Sequence, residues 1–591
     1  MCGISGIYSY AGARPDVAGF VARSTARMAS RGPDGDGTWR SPDGAVALGH
    51  RRLAILDPSP AGAQPMASED GRFVAVFNGE VYNYRDLWQR WGDGSRTLRS
   101  GTDTEVLLRL YARRGPEALR SLRGMYAVSI WDAERRELFM ARDPFGMKPL
   151  YYADDGRAVR FSSQVRALLA GGGADVAPDP AGHAGFFVWG FVPEPYTMFR
   201  GVRSLPAGSW MTVGPDGADG PHRAVTAEGL FRSAGLPDHP EPTDALGPAL
   251  RDTVRHHLVA DVDVGVFLSG GVDSTTVAAA ARQSGAPLRS VTLGVAERRG
   301  TALDETPLAE RVARELGTEH ATVWVGQGDF DWARRSILSE MDQPTTDGVN
   351  TYLVSGAAAS LGLKAVLSGL GGDELYGGYP GFDWIRRLAR LGRPLPVPGR
   401  VGRGVRRALA PVVGGRVPPK AAGLIEYGTT LADAYLLRRA LFMPWELAGL
   451  IGPDMAAEGW AELQRTSPLH DVAESVRPDL RLPALEVSWY LRGQLLRDTD
   501  WTSMAHSVEV RLPLLDVDFL RAVAPTLRPD PQKVALANAP LRPVPREALA
   551  QDKIGFTVPV QHWTRGLAGQ DRGLRGWARY VYRAYLESTA A

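Results

Sequence analysis

Leu268-Ser269-Gly270-Gly271-Val272-Asp273-Ser274 is the stretch on which the reading of this chain turns. An apolar run over 262–268 leads into it, and an alanine-rich run over 275–282 leaves it. The first reads as a buried strand and the second as a helix. Two glycines allow a tight bend that turns backbone N–H groups toward an anion, and the helix N-terminus adds partial positive charge. Ser269 and Ser274 supply hydroxyl donors. Asp273 repels phosphate by itself, so its use at such a site is to hold Mg²⁺. No Gly-Lys pair occurs in the chain, which excludes a Walker-type phosphate loop. The plain alternative is an ordinary strand–turn–helix corner.

Working outward, apolar runs at 290–295, 321–325 and 365–367 alternate with helical patterns such as 308–316. That alternation predicts an α/β unit with a parallel sheet covered on both faces. The run at 365–367 opens a second glycine-rich turn, Ser368-Gly369-Leu370-Gly371-Gly372-Asp373-Glu374. Loops at the carboxyl ends of parallel strands line the ligand crevice. Two such loops, each offering a carboxylate, suit a metal-bound polyphosphate. Beyond about residue 430 the chain reads as mostly helical.

The first part has a different grammar. Short apolar runs at 45–56, 73–82, 126–131, 138–141 and 150–152 are separated by Gly, Asp and Pro, the pattern of a sheet-rich domain. Thr102-Asp103-Thr104-Glu105 has the form of a capping box opening a helix. Residues 213–246 are rich in Gly, Pro and Asp and read as a linker. Residues 386–420 are basic, contain no acidic side chain, and read as a solvated surface insertion. The expected division is 2–212, a linker over 213–246, a second domain over 247–570, and a tail over 571–591 carrying Trp577, Tyr580, Tyr582 and Tyr585, expected to form a packed helix.

The chain has 591 residues, 44% hydrophobic and 23% charged, the balance of a globular protein of two domains or more. Its net charge of +2 gives no mandate for nucleic acid. No apolar run is long enough to span a bilayer, the N-terminus lacks signal-peptide features, and a cytoplasmic enzyme is expected. Of 68 lysines and arginines only five are lysine, namely Lys148, Lys364, Lys420, Lys533 and Lys553. A compact ammonium differs chemically from a guanidinium fork, so these positions merit inspection. The single cysteine is Cys2, behind the initiator methionine. Removing Met1 would leave one residue carrying both a thiol and a free α-amine, a nucleophile with its own base.

Together these segments resemble one family, the glutamine-hydrolysing asparagine synthetases. The resemblance covers nearly the whole chain. Its marks are Met1-Cys2-Gly3-Ile4, Arg31-Gly32-Pro33-Asp34, Gly49-His50-Arg51-Arg52-Leu53, Asn78-Gly79-Glu80, Asp103-Thr104-Glu105, Arg142-Asp143-Pro144-Phe145-Gly146, both glycine-rich loops, Ser507-Val508-Glu509-Val510-Arg511 and Lys553-Ile554-Gly555-Phe556. The resemblance implies an αββα N-terminal-nucleophile hydrolase domain joined to an N-type ATP pyrophosphatase domain. It implies that Cys2 attacks the glutamine side chain and that Asn78 and Gly79 form the oxyanion hole. Arg52 would hold the glutamine α-carboxylate, and Glu80 and Asp103 its ammonium. For Asp103 the other reading is a first-turn acid favouring the helix dipole, and both can hold. Arg51 is adjacent, so the choice of Arg52 rests on alignment to Leu53 alone. In the second domain, Leu268, Ser269, Gly270, Gly271, Asp273, Ser274, Ser368, Gly369 and Lys553 would bind ATP, with Asp273 and Asp373 on Mg²⁺. Glutamine and a carboxylic acid would be the small-molecule partners, with neither nucleic acid nor membrane; a homodimer stays open.

The match departs at three places. Leu370 stands where the family's asparagine makers usually carry a carboxylate held to assist proton transfer. Gln343 stands where many relatives have glutamate, and in Arg497-Asp498-Thr499-Asp500-Trp501 the usual Lys and Arg are out of register. Leucine moves no proton. Two readings of the acceptor follow: aspartate, giving asparagine, or another carboxylic acid from specialised-metabolite or cell-envelope chemistry. Lys148 has no assigned role.

Overall fold

A computed structural model describes residues 2–12, 15–92, 97–235, 243–379, 381–392, 399–409, 419–528, 533–542, 544–550, 558–564 and 573–590. Twelve strands come first: β1 (Gly3–Ser9), β2 (Gly35–Arg40), β3 (Val46–Arg52), β4 (Met66–Ala67), β5 (Phe73–Val81), β6 (Gly124–Asp132), β7 (Glu137–Arg142), β8 (Tyr151–Asp154), β9 (Ala158–Ser162), β10 (Arg203–Ser204), β11 (Ser209–Gly214) and β12 (Gly217–Arg223). They form two antiparallel sheets, ordered β10-β8-β9-β1-β3-β2 and β12-β11-β7-β6-β5-β4. Strand β5 shows why the sheets stack. Val74 and Val76 enter the core between the sheets with Ile4, Leu48 and Trp131. The alternate residues Phe73, Ala75 and Phe77 pack outward against Val106, Leu107 and Leu110 of helix Asp103–Arg114. A strand apolar on both faces needs a layer on each side. On the first sheet that layer includes helix Val17–Arg27, whose Val17, Phe20 and Val21 pack on Ile7 and Ala47. The result is αββα, as the resemblance implied.

The second half carries β13 (Val264–Phe267), β14 (Arg289–Val295), β15 (Glu319–Val325), β16 (Ala365–Leu367) and β17 (Glu509–Arg511). They form a parallel sheet ordered β15-β14-β13-β16-β17. The α/β reading holds for the first four strands. The fifth, β17, lies in the stretch expected to be helical, and at three residues it is too short to show a periodicity.

Two local expectations need correction, and one gains detail. Residues 217–223 of the expected linker are an edge strand paired only with β11, and Ala227–Ser233 is a helix with buried Leu230 and Phe231. The polar, proline-containing composition that suggested a linker is what an exposed sheet edge also requires. The capping box does not form. Thr102 Oγ1 bonds to Ser100 Oγ at 2.9 Å, while the Glu105 carboxylate accepts from the amides of Arg99 and Ser100 at 2.9 and 2.8 Å. In the basic stretch, helices Gly381–Gly392 and Gly399–Leu409 are present. Arg387, Arg390, Arg403 and Arg407 are exposed, but Arg406 pairs with Glu426 at 2.6 Å and lies over the Trp445 ring.

The two halves share buried contacts. Arg31 donates through Nε to the Cys2 carbonyl at 3.0 Å and through both terminal nitrogens to Asp500 at 2.7 and 3.1 Å. The Asp342 carboxylate accepts from the Val165 and Arg166 amides, each at 2.9 Å, capping helix Val165–Gly171 from the other half. The C-terminal helix Gly573–Ala590 packs as expected. It buries Trp577 and Tyr585, and Tyr582 Oη meets His183 Nδ1 at 2.6 Å.

Removing one partner of a buried ion pair strands the other charge, at a cost of about 3–5 kcal/mol. Asp500→Leu should lower stability by about that amount, read by scanning calorimetry. Arg31→Met combined with Asp500→Leu should recover at least half of the loss; a double variant as unstable as the sum of the singles would deny the pairing.

Candidate active sites

Strand parity decides which side chains meet Cys2. On β3, His50 points between the sheets, where Nε2 lies 3.2 Å from the Phe77 carbonyl; burial drives its pKa down to about 3, so the ring is neutral. Arg52 shares that face. Arg51 points the other way, with Nε donating to the Thr25 carbonyl at 3.2 Å. Alternation thus separates two arginines that the sequence left adjacent. The Arg52 guanidinium lies on a loop of carbonyls, donating to Ser59 at 2.9 Å and Leu56 at 3.3 Å, and also to Asp57.

On β5, Asn78 falls on the inner face opposite β1. The Cys2 backbone nitrogen donates to Asn78 Oδ1 at 2.9 Å. Asn78 Nδ2 is buried and has no hydrogen-bond partner, an expensive state for an amide donor. Gly79 has φ +152°, and a β-carbon there would stand 2.0 Å from the Met125 carbonyl oxygen. Only glycine fits. The Cys2 thiol is 4.0 Å from the Leu53 carbonyl, and burial pushes its pKa up.

Glu80 and Asp103 follow in the same pocket. Asp103 Oδ2 accepts from the Val81 amide at 2.7 Å, and burial pushes its carboxyl up to about 6. Burial and the neighbouring Glu509 push Glu80 well above the usual carboxylate range. Glu509 and Arg511 come from β17 in the other half. Arg511 Nη2 lies 3.4 Å from Glu80 Oε1, and its Nε donates to Glu509 Oε1 at 2.6 Å. The sequence marked both residues as family signs and gave them no place in this pocket.

The second site lies at the carboxyl edge of the parallel sheet. Leu268 ends the run through β13, and Ser269 and Ser274 knit the loop after it. Ser274 Oγ accepts from the Ser269 amide at 3.2 Å, and Ser269 Oγ accepts from the Gly271 amide at 3.3 Å. Gly270 has φ +78°, in the left-handed region. The loop after β16 packs directly against this one. A β-carbon on Gly369 would come within 2.6 Å of the Asp273 carbonyl carbon, and one on Gly372 within 2.4 Å of the Asp273 carboxylate. Ser368 begins that loop, its amide donating to the Arg511 carbonyl at 2.9 Å.

Asp273 and Asp373 converge on one ammonium, that of Lys533. Burial opposes the charge on Lys533, but the two carboxylates hold its pKa above the usual lysine value. Two carboxylates aimed at one cationic point suit Mg²⁺, which is commonly held by one or two carboxylates together with substrate phosphates. Among the described residues no cluster of three acidic, His or Cys ligands exists. Lys553 lies outside the described residues. Lys533, left without a role by the sequence, is the described lysine at this point.

Leu370 is half-buried against the core, its amide donating to Ser368 Oγ at 3.3 Å. Gln343 is buried, donating to the Tyr151 hydroxyl at 3.2 Å. Asp498 is also buried. It accepts from Thr345 Oγ1 at 2.7 Å and Trp501 Nε1 at 3.0 Å, and burial, reinforced by Asp347, pushes it up to about 7. Lys148 is buried with Nζ 3.9 Å from Asp500, beside Arg31. No helix among the described residues is long and apolar enough to cross a membrane.

Residues 1–223 match the family described as a glutamine amidotransferase domain, and residues 245–579 the family described as asparagine synthase. A Mycobacterium tuberculosis protein, provisionally named a glutamine-hydrolyzing asparagine synthetase, is 35% identical over 93% of this chain and 85% of its own length. Glutamine-hydrolyzing asparagine synthetase 1 of Bacillus subtilis is 30% identical over 96% of this chain and 88% of its own. An amidase of Gibberella zeae is 31% identical over 65% of this chain and 60% of its own. With an amidotransferase half and an ATP-using synthase half both matched, this chain belongs to the glutamine-hydrolysing asparagine synthetase family.

Proposed function

We propose that the protein transfers the amide nitrogen of glutamine to a carboxylic acid through an acyl-adenylate, with aspartate as the first-choice acceptor. The observation that carries the glutaminase reading is Asn78, which faces the Cys2 nitrogen with one atom and leaves a buried N–H unused with the other. Once Met1 is removed, that nitrogen is the α-amine. Burial keeps the thiol protonated at rest, so it needs a base within reach, and the amine supplies one. The amine takes the thiol proton as Sγ attacks the glutamine side-chain carbonyl. Asn78 Nδ2 and the Gly79 amide meet the oxyanion, and the proton passes to departing ammonia. Water then releases glutamate from the thioester. Arg52 holds the glutamine α-carboxylate, and Glu80 and Asp103 hold its ammonium.

Ammonia passes within the protein to the carboxyl edge of the parallel sheet. The loops of 268–274 and 368–373 would cradle ATP, and Asp273 and Asp373 would hold Mg²⁺, which would offset the phosphate charge. The acceptor carboxylate attacks the α-phosphorus and pyrophosphate leaves. Ammonia attacks the acyl carbonyl, AMP leaves, and the surplus proton goes to water, pyrophosphate or the substrate. The family resemblance assigns Lys553, which lies outside the described residues, to offsetting charge on the departing pyrophosphate or the intermediate.

Leu370 favours a second reading, in which the acceptor is a different carboxylic acid. The relationship to an amidase from Gibberella zeae is compatible with either.

Cys2→Ala should abolish glutamine hydrolysis while free ammonia still supports amide formation; loss of both would argue against two separable sites. The nucleotide products should be AMP and pyrophosphate, and ADP with phosphate would overturn the adenylate. Across a panel of acids, pyrophosphate release should be fastest with aspartate; a faster acid establishes the second reading. The KM for glutamine should rise as pH falls through about 6, because Asp103 loses the charge that meets an ammonium. Asp103→Asn should raise KM about 10- to 100-fold and flatten that limb.

A further inference from the structure

Arg511 touches both sites. Its main chain belongs to β17, paired in parallel with β16, and its carbonyl accepts the Ser368 amide at 2.9 Å where the second glycine-rich loop begins. Its side chain leaves the sheet edge toward the glutaminase half. Within its own half, Nη1 donates to the carbonyls of His257 and Val259 at 2.8 and 2.7 Å and Nε donates to Glu509; across the boundary, the guanidinium lies 5.6 Å from the ring centroid of Tyr82. These contacts hold the planar fork, and Nη2, which makes no hydrogen bond among the described residues, lies 3.4 Å from Glu80 Oε1 as an ion pair. The residue is fully buried.

The charge balance makes that contact consequential. Among the described residues, the ionisable groups that act on Glu80 are Glu509 and Arg511 from β17 and Asp103 from helix Asp103–Arg114. Burial and the charge on Glu509 favour the protonated acid at Glu80 and at Asp103, whereas Glu509 itself is held below the usual carboxylate range by the cationic groups around it, Arg511 among them. A neutral Glu80 offers a glutamine ammonium far less than a carboxylate does. Arg511 is the group in this set that stabilises the ionised form.

We propose that Arg511 is a positioning residue for glutamine: it holds Glu80 in register for the substrate ammonium, and its main-chain bond to Ser368 makes that register respond to the nucleotide loop. The proposal rests on the reading of Glu80 as an ammonium ligand. It assigns to a synthetase strand part of the glutamine affinity of the other half.

Steady-state glutaminase assays test it. Arg511→Gln should raise the KM for glutamine about 10- to 100-fold with kcat at saturation within about threefold, and Arg511→Lys, which keeps the charge without the fork, should fall between. A fall in kcat with KM unchanged would overturn the proposal. Glu80→Gln separates the two claims. If it leaves KM unchanged, the Glu80 reading fails. If it raises KM while both Arg511 variants do not, the proposal alone fails. The unmodified protein provides a test that needs no variant: a non-hydrolysable ATP analogue with Mg²⁺ should shift the KM for glutamine by at least about threefold with little change in kcat. An unchanged KM at saturating analogue would overturn the link through Ser368.

Discussion

A single buried guanidinium, that of Arg31, ties the carbonyl of Cys2 to a carboxylate from the other half of the chain. It donates to Cys2 on one side and forks onto Asp500 on the other. A charge with no access to water tolerates little displacement, because losing its partner leaves an uncompensated ion in a low-dielectric interior. The start of the chain is therefore fixed relative to helix Arg497–Met504, and through it to β17. The Asp342 carboxylate on helix Val165–Gly171 repeats the arrangement in the opposite direction. The halves are held by buried directional contacts as well as by shared apolar surface.

The same economy of charge governs both pockets. The pocket proposed for glutamine collects Glu80, Asp103 and Glu509 around Arg511, an acidic set that suits an incoming ammonium. The sheet edge proposed for the nucleotide collects Asp273 and Asp373 around Lys533, which suits an incoming divalent cation with its phosphates. In each, carboxylates that would repel one another are kept together by one basic side chain. Leu370 adds no charge to the second glycine-rich loop, whose glycines leave no room for side chains beside Asp273.

The sequence was most legible where chemistry is local. The Ser269–Ser274 turn and the alternation of β13 to β16 each involve residues a few positions apart, so strand and helix periods expose them, whereas the Asn78-Gly79 pair was marked by the family resemblance. Legibility failed where a residue's partner is remote. Glu105 looked like a capping residue because its spacing from Thr102 was right, but the amides of Arg99 and Ser100 offered better donors. Residues 217–223 looked like a linker because an edge strand and a linker are polar for the same reason, exposure. Three residues at β17 carried no period at all.

What the sequence by itself determined was the inventory: a lone cysteine behind Met1, two glycine-rich loops each with a carboxylate, and the leucine at 370. These follow from covalent neighbours and local backbone geometry. What only the tertiary structure decided was which charges face which. Strand parity placed Arg52, and not Arg51, on the side of Cys2. Domain packing brought Arg511 to Glu80 and Lys533 to both aspartates. The physical reason is that charge pairing in a buried interface depends on the relative placement of distant segments, and no local pattern encodes that distance.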